Sequence, residues 1–219
     1  MSAPVVGWTV VVPVKRARDG KTRLAPHAGE FRPDLARAFA LDTIDAAVSA
    51  LAVARVLVVT DDEEVAARAP DTVLVIPDPG GGLNAAFRRG AAEAAQRWGD
   101  APTAALQGDL PALRPTELDR ALGRAGAWPA AFVADADGVG TTLLTASTSS
   151  SLVPAFGGGS RIAHRSAGAV EIVDHDQDLA GLRRDVDTAA SLDRAEHLGL
   201  GPHTRQVIAA MRRGAAGRG

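Results

Sequence analysis

Apolar runs and amphipathic stretches alternate along most of this chain. Val5–Val14 is an almost continuous apolar run, which is typical of a strand covered on both faces in a parallel sheet. Leu83–Trp98 instead spaces its apolar residues as one face of a helix. The same criteria predict further strands at Arg55–Thr60, Thr72–Ile76, Thr103–Gln107, Ala130–Ala134, Thr141–Thr145, Ala169–Val173 and Leu182–Asp185. They predict further helices at Pro33–Ala50, Asp62–Ala69, Arg114–Ala125 and Ala189–Leu198, and a weak helix from about His203.

The order of these elements predicts the fold class. Strands that alternate with helices indicate an α/β protein, with a mostly parallel sheet in a three-layer α/β/α arrangement and right-handed crossovers. No repeat and no linker interrupts the 219 residues, so we expect a single domain over residues 1–219, with a frayed tail from about residue 203. In such a sheet, ligands bind at the carboxyl ends of the strands.

Composition narrows the classes of function. A hydrophobic content of 46% supports a globular core, and the net charge of −2 supplies no positive field for nucleic acid. The chain has no cysteine, which excludes disulfides, thiolate metal ligands and a cysteine nucleophile. Its first apolar run precedes the nearby basic residues, the reverse of a secretory signal, and no apolar run is long enough to cross a membrane. We therefore expect a cytoplasmic protein with neither a nucleic-acid nor a membrane partner.

Three carboxylates lie in two segments that are each predicted to end a strand. Asp109 follows Gln107 and Gly108 in LQGDLPAL, and Asp185 and Asp187 lie two residues apart in LRRDVDTA. Three acidic side chains converging at one sheet edge would repel one another unless a cation lay between them, and all-oxygen ligands suit Mg²⁺. The alternative is that Asp109 and Asp187 cap helices while Asp185 pairs with a neighbouring arginine.

A basic segment follows the first strand. Five cationic side chains fall within nine residues, namely Lys15, Arg16, Arg18, Lys21 and Arg23. At the carboxyl end of a strand they could neutralise a triphosphate, although a solvated basic loop is the alternative. No Gly-Lys-Ser/Thr follows a glycine loop, so the segment is not a P-loop.

Polar residues beside glycines supply further candidates. Asn84 follows three glycines and opens a helix, where it could meet an anion or a base edge. Gly157–Ser160 could form a nest for an anion, with Ser160 also capping the next helix. The Thr141 hydroxyl would face the same crevice if its strand ran parallel to its neighbours. His164 could be a base, although a surface position on a helix is the commoner role for a histidine.

Several of these motifs occur together in one known family. They are, in order, VPVKRARDGKTRLAP, LNAAFRRGA, LQGDLPAL, GVGTT, FGGGS followed by AHR, and LRRDVDTAASL. With this ordered set the chain resembles the phosphoenolpyruvate/2-phospholactate guanylyltransferases, which begin side-chain assembly of the deazaflavin coenzyme F-420. The resemblance runs from about Val10 to Pro202. It is looser to molybdopterin guanylyltransferases and sugar-phosphate nucleotidyltransferases.

The resemblance implies a fold, a reaction and a set of site residues. The fold would be the nucleotide-diphospho-sugar transferase-like, Rossmann-type nucleotidyltransferase fold. The reaction would transfer GMP from GTP to phosphoenolpyruvate or 2-phospholactate and release pyrophosphate, with a functional link to the downstream transferase. The implied Mg²⁺ ligands are Asp109, Asp185 and Asp187. The implied phosphoenolpyruvate-binding residues are Thr141, Gly157 and Ser160. The implied nucleotide-binding residues are Lys15, Lys21, Arg23, Asn84, Gln107 and Gly108, with Lys21 and Arg23 also catalytic through the leaving pyrophosphate.

Other functions stay open on the residues alone. AspValAsp is also the DxD pattern of metal-dependent glycosyltransferases. A non-catalytic nucleotide-binding module would need the basic loop but not the carboxylates. A molybdopterin-type or sugar-phosphate-type nucleotidyltransferase would use the same kind of catalytic residues with a different acceptor. Phosphoenolpyruvate, 2-phospholactate and 3-phosphoglycerate differ by a few atoms, and no residue decides among them.

Overall fold

The computed structural model describes residues 7–17, 21–175 and 177–216. Within them, one sheet holds β1 (Trp8–Val14), β2 (Val53–Thr60), β3 (Leu74–Ile76), β4 (Thr103–Leu106), β5 (Ala130–Ala134), β6 (Thr141–Ala146) and β7 (Val170–Glu171). The helices are α1 (Ala25–Ala28), α2 (Arg32–Ser49), α3 (Glu63–Arg68), α4 (Leu83–Trp98), α5 (Pro115–Ala125), α6 (Ser160–Ser166), α7 (Ala189–Leu198) and α8 (Pro202–Ala216). Short 3-10 turns lie at Thr22–Leu24, Gly29–Phe31 and Ser149–Ser151.

The sheet is mostly parallel, as predicted. Its strand order is β3-β2-β1-β4-β6-β5-β7, and β3, β2, β1 and β4 run in the same direction. The exception is β6, which is antiparallel to both β4 and β5. Because β6 runs the other way, its first residues lie at the edge where β4 ends, and the Gln107 N–H donates to the Thr142 carbonyl there at 2.9 Å.

The core lies on both faces of the sheet because the side chains of β1 alternate. Val10 and Val12 pack in the cluster that contains residues of α2 and α5, and Val11 packs in the cluster that contains residues of α4. All three valines are fully buried. The continuous apolar run of β1 therefore reflects a strand covered by helices on both sides.

Most predicted elements are confirmed within a few residues, and α4 and α7 match their predicted limits. Val5 and Val6 of the predicted first strand lie outside the described residues. The predicted strand Leu182–Asp185 is wrong, because residues 177–183 form turns. The Gly181 N–H donates to the Glu117 carboxylate at 3.0 Å and the Arg183 N–H to the Leu179 carbonyl at 3.0 Å, so these backbone donors are used outside a sheet.

The N-terminus of α6 differs from the prediction, whereas the predicted C-terminal helix is present and has a defined anchor. Gly159, in the left-handed conformation, is the N-cap of α6, so Ser160 is its first helical residue and not its cap. The predicted weak C-terminal helix is the 15-residue α8. Asp42 of α2 accepts hydrogen bonds from the His203 and Thr204 N–H groups, both at 2.9 Å, and thereby anchors the start of α8. No helix in the described part of the chain is long and apolar enough to span a membrane.

Candidate active site

A crevice of about 340 Å³ opens at the carboxyl ends of β1 and β4. Six predicted site residues line it, namely Lys15, Lys21, Gln107, Gly108, Asp109 and Asp187. A larger cavity of about 610 Å³ between α1, α7 and α8 is lined by none of the predicted residues. The smaller crevice is therefore the candidate site, because it combines strand ends with the predicted chemistry.

Close backbone contacts bring the two acidic segments together. A Cβ on Gly108 would lie 2.9 Å from the Pro13 carbonyl oxygen, so the absence of a side chain lets the end of β4 approach the end of β1. The next residue, Asp109, accepts a backbone hydrogen bond from the Val186 N–H at 3.1 Å. This bond places Asp185 and Asp187 beside Asp109, although no strand precedes them.

Lys21 joins the two acidic segments. Its ammonium donates to the Asp109 carboxylate and, at 2.6 Å, to the Asp187 carboxylate. Burial lowers the pKa of Lys21, but the charges of Asp109 and Asp187 outweigh that effect and leave the pKa raised, so the ammonium stays protonated. Lys21 also has a left-handed backbone (φ 57°), which is uncommon for a residue with a side chain. Its side chain makes both ion pairs from this conformation.

The site carries more negative charge than Lys21 balances. Burial, and then the charges of Asp109, Asp187 and Asp135, raise the pKa of Asp185 to about 7. The Oδ1 atom of Asp109 is buried and has no hydrogen-bond partner among the residues the structure describes. A buried acceptor without a partner and a carboxyl destabilised by like charges both fit an added hard cation.

The ligand set for such a cation is not preassembled. In the described ranges, no three His, Cys, Asp or Glu side chains are grouped as a metal site. The ammonium of Lys21 lies between two of the three predicted ligands instead.

The alternative structural roles of the three aspartates do not match their contacts. Thr188, not Asp187, is the N-cap of α7, and Arg114 is the N-cap of α5. Arg183 and Arg184 pair with Asp174 and Asp137. The carboxylates of Asp109 and Asp187 therefore do not cap these helices, and both residues line the crevice.

The basic loop is only partly in the crevice. Lys15 and Arg16 are exposed and line it, and Arg16 lies 3.7 Å from Asp61. Arg18 lies outside the described residues. Arg23 is exposed on the turn beyond Lys21 and is not among the lining residues.

The predicted acceptor residues lie around the start of β6 and the glycine loop. The sequence argument placed the Thr141 hydroxyl in the crevice on condition that its strand is parallel to its neighbours, and that condition is not met. Because β6 is antiparallel, Thr141 does lie at the correct edge, but it is fully buried and its hydroxyl bonds to His164 Nδ1 at 2.9 Å. Ser160 is also buried, whereas Gly157 is exposed.

His164 is a residue that sequence reasoning misplaced. It is 1% exposed, and burial lowers its pKa to about 4, so it is neutral at physiological pH. Its Nε2 accepts from the Ala155 N–H at 3.0 Å, which leaves the proton on Nδ1 to be donated to the Thr141 hydroxyl. One feature of the sequence could have indicated that His164 is buried. It lies four residues after Ser160, which puts both side chains on one face of the helix.

Asn84 and Gln107, which were predicted to lie near the nucleoside, have side-chain amides that bond to the backbone near the predicted acceptor residues. Asn84 Nδ2 donates to the Phe156 carbonyl at 2.9 Å, and its Oδ1 accepts from the Phe156 N–H at 2.8 Å. Gln107 Nε2 donates to the Thr141 carbonyl at 2.7 Å. Their nucleotide-binding roles stay predictions, as do the roles assigned to the other site residues.

The fold is that of nucleotidyltransferases. It is similar to a nucleotidyl transferase from Methanothermobacter, with a TM-score of 0.58 and 18% identity over 88% of this chain and 97% of that chain. It is also similar to a structure from Desulfovibrio desulfuricans G20 that carries the name nucleotide-diphospho-sugar transferase, with a TM-score of 0.61 and 18% identity over 91% of this chain and 97% of that one. These similarities confirm the predicted fold.

The chain belongs to the family of CofC-like guanylyl transferases, whose family model matches residues 8–197. A relative from Streptomyces coelicolor, named phosphoenolpyruvate guanylyltransferase, is 49% identical over 207 residues, covering 92% of this chain and 96% of the relative. A relative of the same name from Streptomyces scabiei is 51% identical over 213 residues, with the same coverage. The family expected from the ordered motifs is confirmed.

Proposed function

We propose that this protein is a magnesium-dependent guanylyltransferase that transfers GMP from GTP to phosphoenolpyruvate. The observation that carries the proposal is the 49% identity, over 92% of the chain, to a relative named phosphoenolpyruvate guanylyltransferase. The crevice supports it, because it brings a lysine and two carboxylates to the carboxyl edge of a nucleotidyltransferase sheet.

The proposed reaction is one displacement at phosphorus. An oxygen of the acceptor phosphate attacks the α-phosphorus of GTP and forms the new P–O bond. The bond from the α-phosphorus to the oxygen that bridges to the β-phosphate breaks, and pyrophosphate leaves with that electron pair. The product is enolpyruvyl-2-diphospho-5'-guanosine. Because the attacking oxygen is already anionic, no general base is needed, and catalysis depends on positioning and charge neutralisation.

The predicted site residues, in the crevice and around it, have distinct tasks in this proposal. Lys15, Lys21 and Arg23 bind the triphosphate, and Lys21 and Arg23 offset the charge on the departing pyrophosphate. Asp109, Asp185 and Asp187 would hold Mg²⁺, which when bound supplies positive charge at the α-phosphate. Thr141, Gly157 and Ser160 hold the acceptor beside the start of β6 and α6.

The same site could serve a related acceptor or a different donor. 2-Phospholactate is the second candidate acceptor, because it carries the same phosphate and carboxylate groups. The DxD glycosyltransferase and the non-catalytic module are less favoured, because the named relatives match nearly the whole chain. We place the protein in the cytoplasm, where GTP is available, and propose that a downstream transferase consumes its product.

The test is pyrophosphate release from GTP and Mg²⁺ with phosphoenolpyruvate, 2-phospholactate or 3-phosphoglycerate, each with and without the downstream transferase. Pyrophosphate release with phosphoenolpyruvate, and with neither of the other two acceptors, supports the proposal. Release with another acceptor keeps the class and changes the substrate. No release with any acceptor, from folded protein with the transferase present, refutes guanylyl transfer, and incubation with a nucleotide-sugar then tests the glycosyltransferase alternative.

A further inference from the structure

The two residues before the glycine loop are fixed by side chains from two helices. Asn84, in the first turn of α4, bonds to both the N–H and the carbonyl of Phe156. His164, on α6, accepts from the N–H of Ala155. A side chain that pairs with both backbone groups of one residue sets its orientation as well as its position. The path of the chain is therefore defined at residues 155 and 156.

Aromatic packing also holds Phe156 in position. The Phe156 ring stacks on the Phe87 ring of α4 with centroids 4.4 Å apart, and it meets the His164 ring edge-on at 5.1 Å. Phe87, Phe156 and His164 are all buried. We call these three rings together with Asn84 the Phe156 socket. One member of the socket, the buried His164, has no assigned role in the proposed reaction.

The glycine loop beyond the socket has no such support. A Cβ on Gly157, Gly158 or Gly159 would meet no atom of the described residues within 4 Å. Gly157 and Gly159 have φ values of 142° and 75°, which residues with side chains rarely adopt. The position of the loop therefore depends on its two ends, the Phe156 socket and the start of α6.

We propose that Asn84 and His164 are positioning residues that hold the glycine loop where it meets the acceptor. The inference rests on the proposed function, in which Gly157 and Ser160 contact phosphoenolpyruvate. His164 also sets the direction of the Thr141 hydroxyl, because it donates to that oxygen and leaves the hydroxyl hydrogen to point elsewhere. Asn84 is itself one of the residues predicted to bind the nucleotide, so its amide would connect that part of the site to the glycine loop proposed to meet the acceptor.

Steady-state kinetics with each substrate varied tests the proposal. Asn84→Ala should raise the KM for phosphoenolpyruvate about tenfold or more while the KM for GTP changes less than about threefold. Asn84→Asp keeps an oxygen for the Phe156 N–H and loses the donor to the Phe156 carbonyl, so it should fall between Asn84→Ala and the wild type. His164→Gln, which can offer an oxygen near the place of Nε2, should likewise be milder than His164→Ala.

Hydrogen exchange measures the loop without substrate. The Phe156 amide should exchange faster in Asn84→Ala than in Asn84→Asp, and the Ala155 amide faster in His164→Ala than in His164→Gln. Ser149→Ala is the matched control, because Ser149 is also buried and bonds to Thr103 and to the Ala101 carbonyl at the other end of β4. It should lower stability without changing either KM.

The outcomes separate this inference from the proposed function. A wild-type protein that releases no pyrophosphate refutes the proposed function and the inference with it. An active wild type whose Asn84 variants change the KM for GTP alone overturns the inference and assigns Asn84 to the nucleotide. Equal changes in both KM values, or faster exchange with an unchanged acceptor KM, overturn it as well. If Asn84→Ala does not fold, Asn84→Asp and His164→Gln decide by the same criteria.

Discussion

The ammonium of Lys21 lies between the carboxylates of Asp109 and Asp187, where a divalent cation would have to bind. An ammonium and a cation cannot share this space, so each weakens the binding of the other. Lys21→Met should therefore raise the affinity of the nucleotide-free protein for Mn²⁺ by about tenfold, since like charges within a few ångströms interact by a kcal/mol or more. The same variant should use GTP poorly, because it loses a charge proposed to bind the triphosphate.

Isothermal titration of Mn²⁺ into the nucleotide-free protein measures this affinity. Lys15→Met is the control, because it removes a positive charge from the same crevice at an exposed side chain. Equal Mn²⁺ affinity in the wild type and both variants would show that Lys21 does not compete with a cation.

The two aspartates of AspValAsp are expected to be essential for turnover and dispensable for folding. Asp185→Asn and Asp187→Asn should each lower kcat at least about a hundredfold, because each removes a charge from the proposed cation site. Neither should lower the melting temperature. Asp187 is half exposed, and burial and neighbouring negative charges disfavour the ionised form of Asp185. The pyrophosphate assay and a thermal melt measure the two effects. Asp71→Asn, at the opposite edge of the sheet, should retain full activity, and near-normal activity of both site variants would remove the metal assignment.

At the scale of elements, two helical glycines should respond to alanine in opposite directions. Gly90 of α4 faces the sheet, and a Cβ there would overlap the side chain of Val11. Gly123 of α5 is exposed, and in the described part of the chain a Cβ there would meet nothing within 4 Å. Gly90→Ala should thus destabilise the protein by about 1–3 kcal/mol, as overpacking does. Gly123→Ala should stabilise it by about 0.5–1 kcal/mol through helix propensity.

Urea denaturation of the two variants measures both free energies of unfolding. Since the substitution is the same, the difference isolates the contact of α4 with the sheet. Stabilisation by Gly90→Ala would mean that α4 does not lie as close to β1 as described.

The same elements show how far the sequence alone could lead. Local periodicity predicts β6 and α4, because each pattern depends on which of its own side chains are covered. The direction of β6 depends on the strand it pairs with, and no residue within it records that choice. The predicted strand Leu182–Asp185 fails for a similar reason, since its backbone bonds to Glu117 and to a local turn.

Part of the candidate site could be predicted from the sequence, and part could not. Strand-end positions predicted that Asp109 would lie in a crevice with the basic loop. That Lys21 would pair with Asp109 and Asp187, which are 88 and 166 residues away, could not be predicted from spacing. The interior position of His164 was hidden as well, because α6 is short and the arginine next to His164, Arg165, is typical of a surface helix.

For the whole molecule, the buried His164 should make stability depend on pH. In the unfolded chain its pKa is near 6.5, and in the folded protein burial lowers it to about 4. Between these values the unfolded state binds more protons, so the stability is fully present above about pH 6.5 and is lost as the pH falls towards 4. A shift of this size corresponds to about 3 kcal/mol.

Urea denaturation of the wild type and His164→Gln at several pH values isolates this contribution. The carboxyls of Asp42 and Glu117 have pKa values raised by burial and act in the opposite direction, but they are common to both proteins. The free-energy difference between wild type and variant should therefore be largest above about pH 6.5 and should shrink as the pH falls to 4. A constant difference for His164→Gln would mean that His164 binds protons equally in the folded and unfolded states, and would contradict the lowering of its pKa by burial.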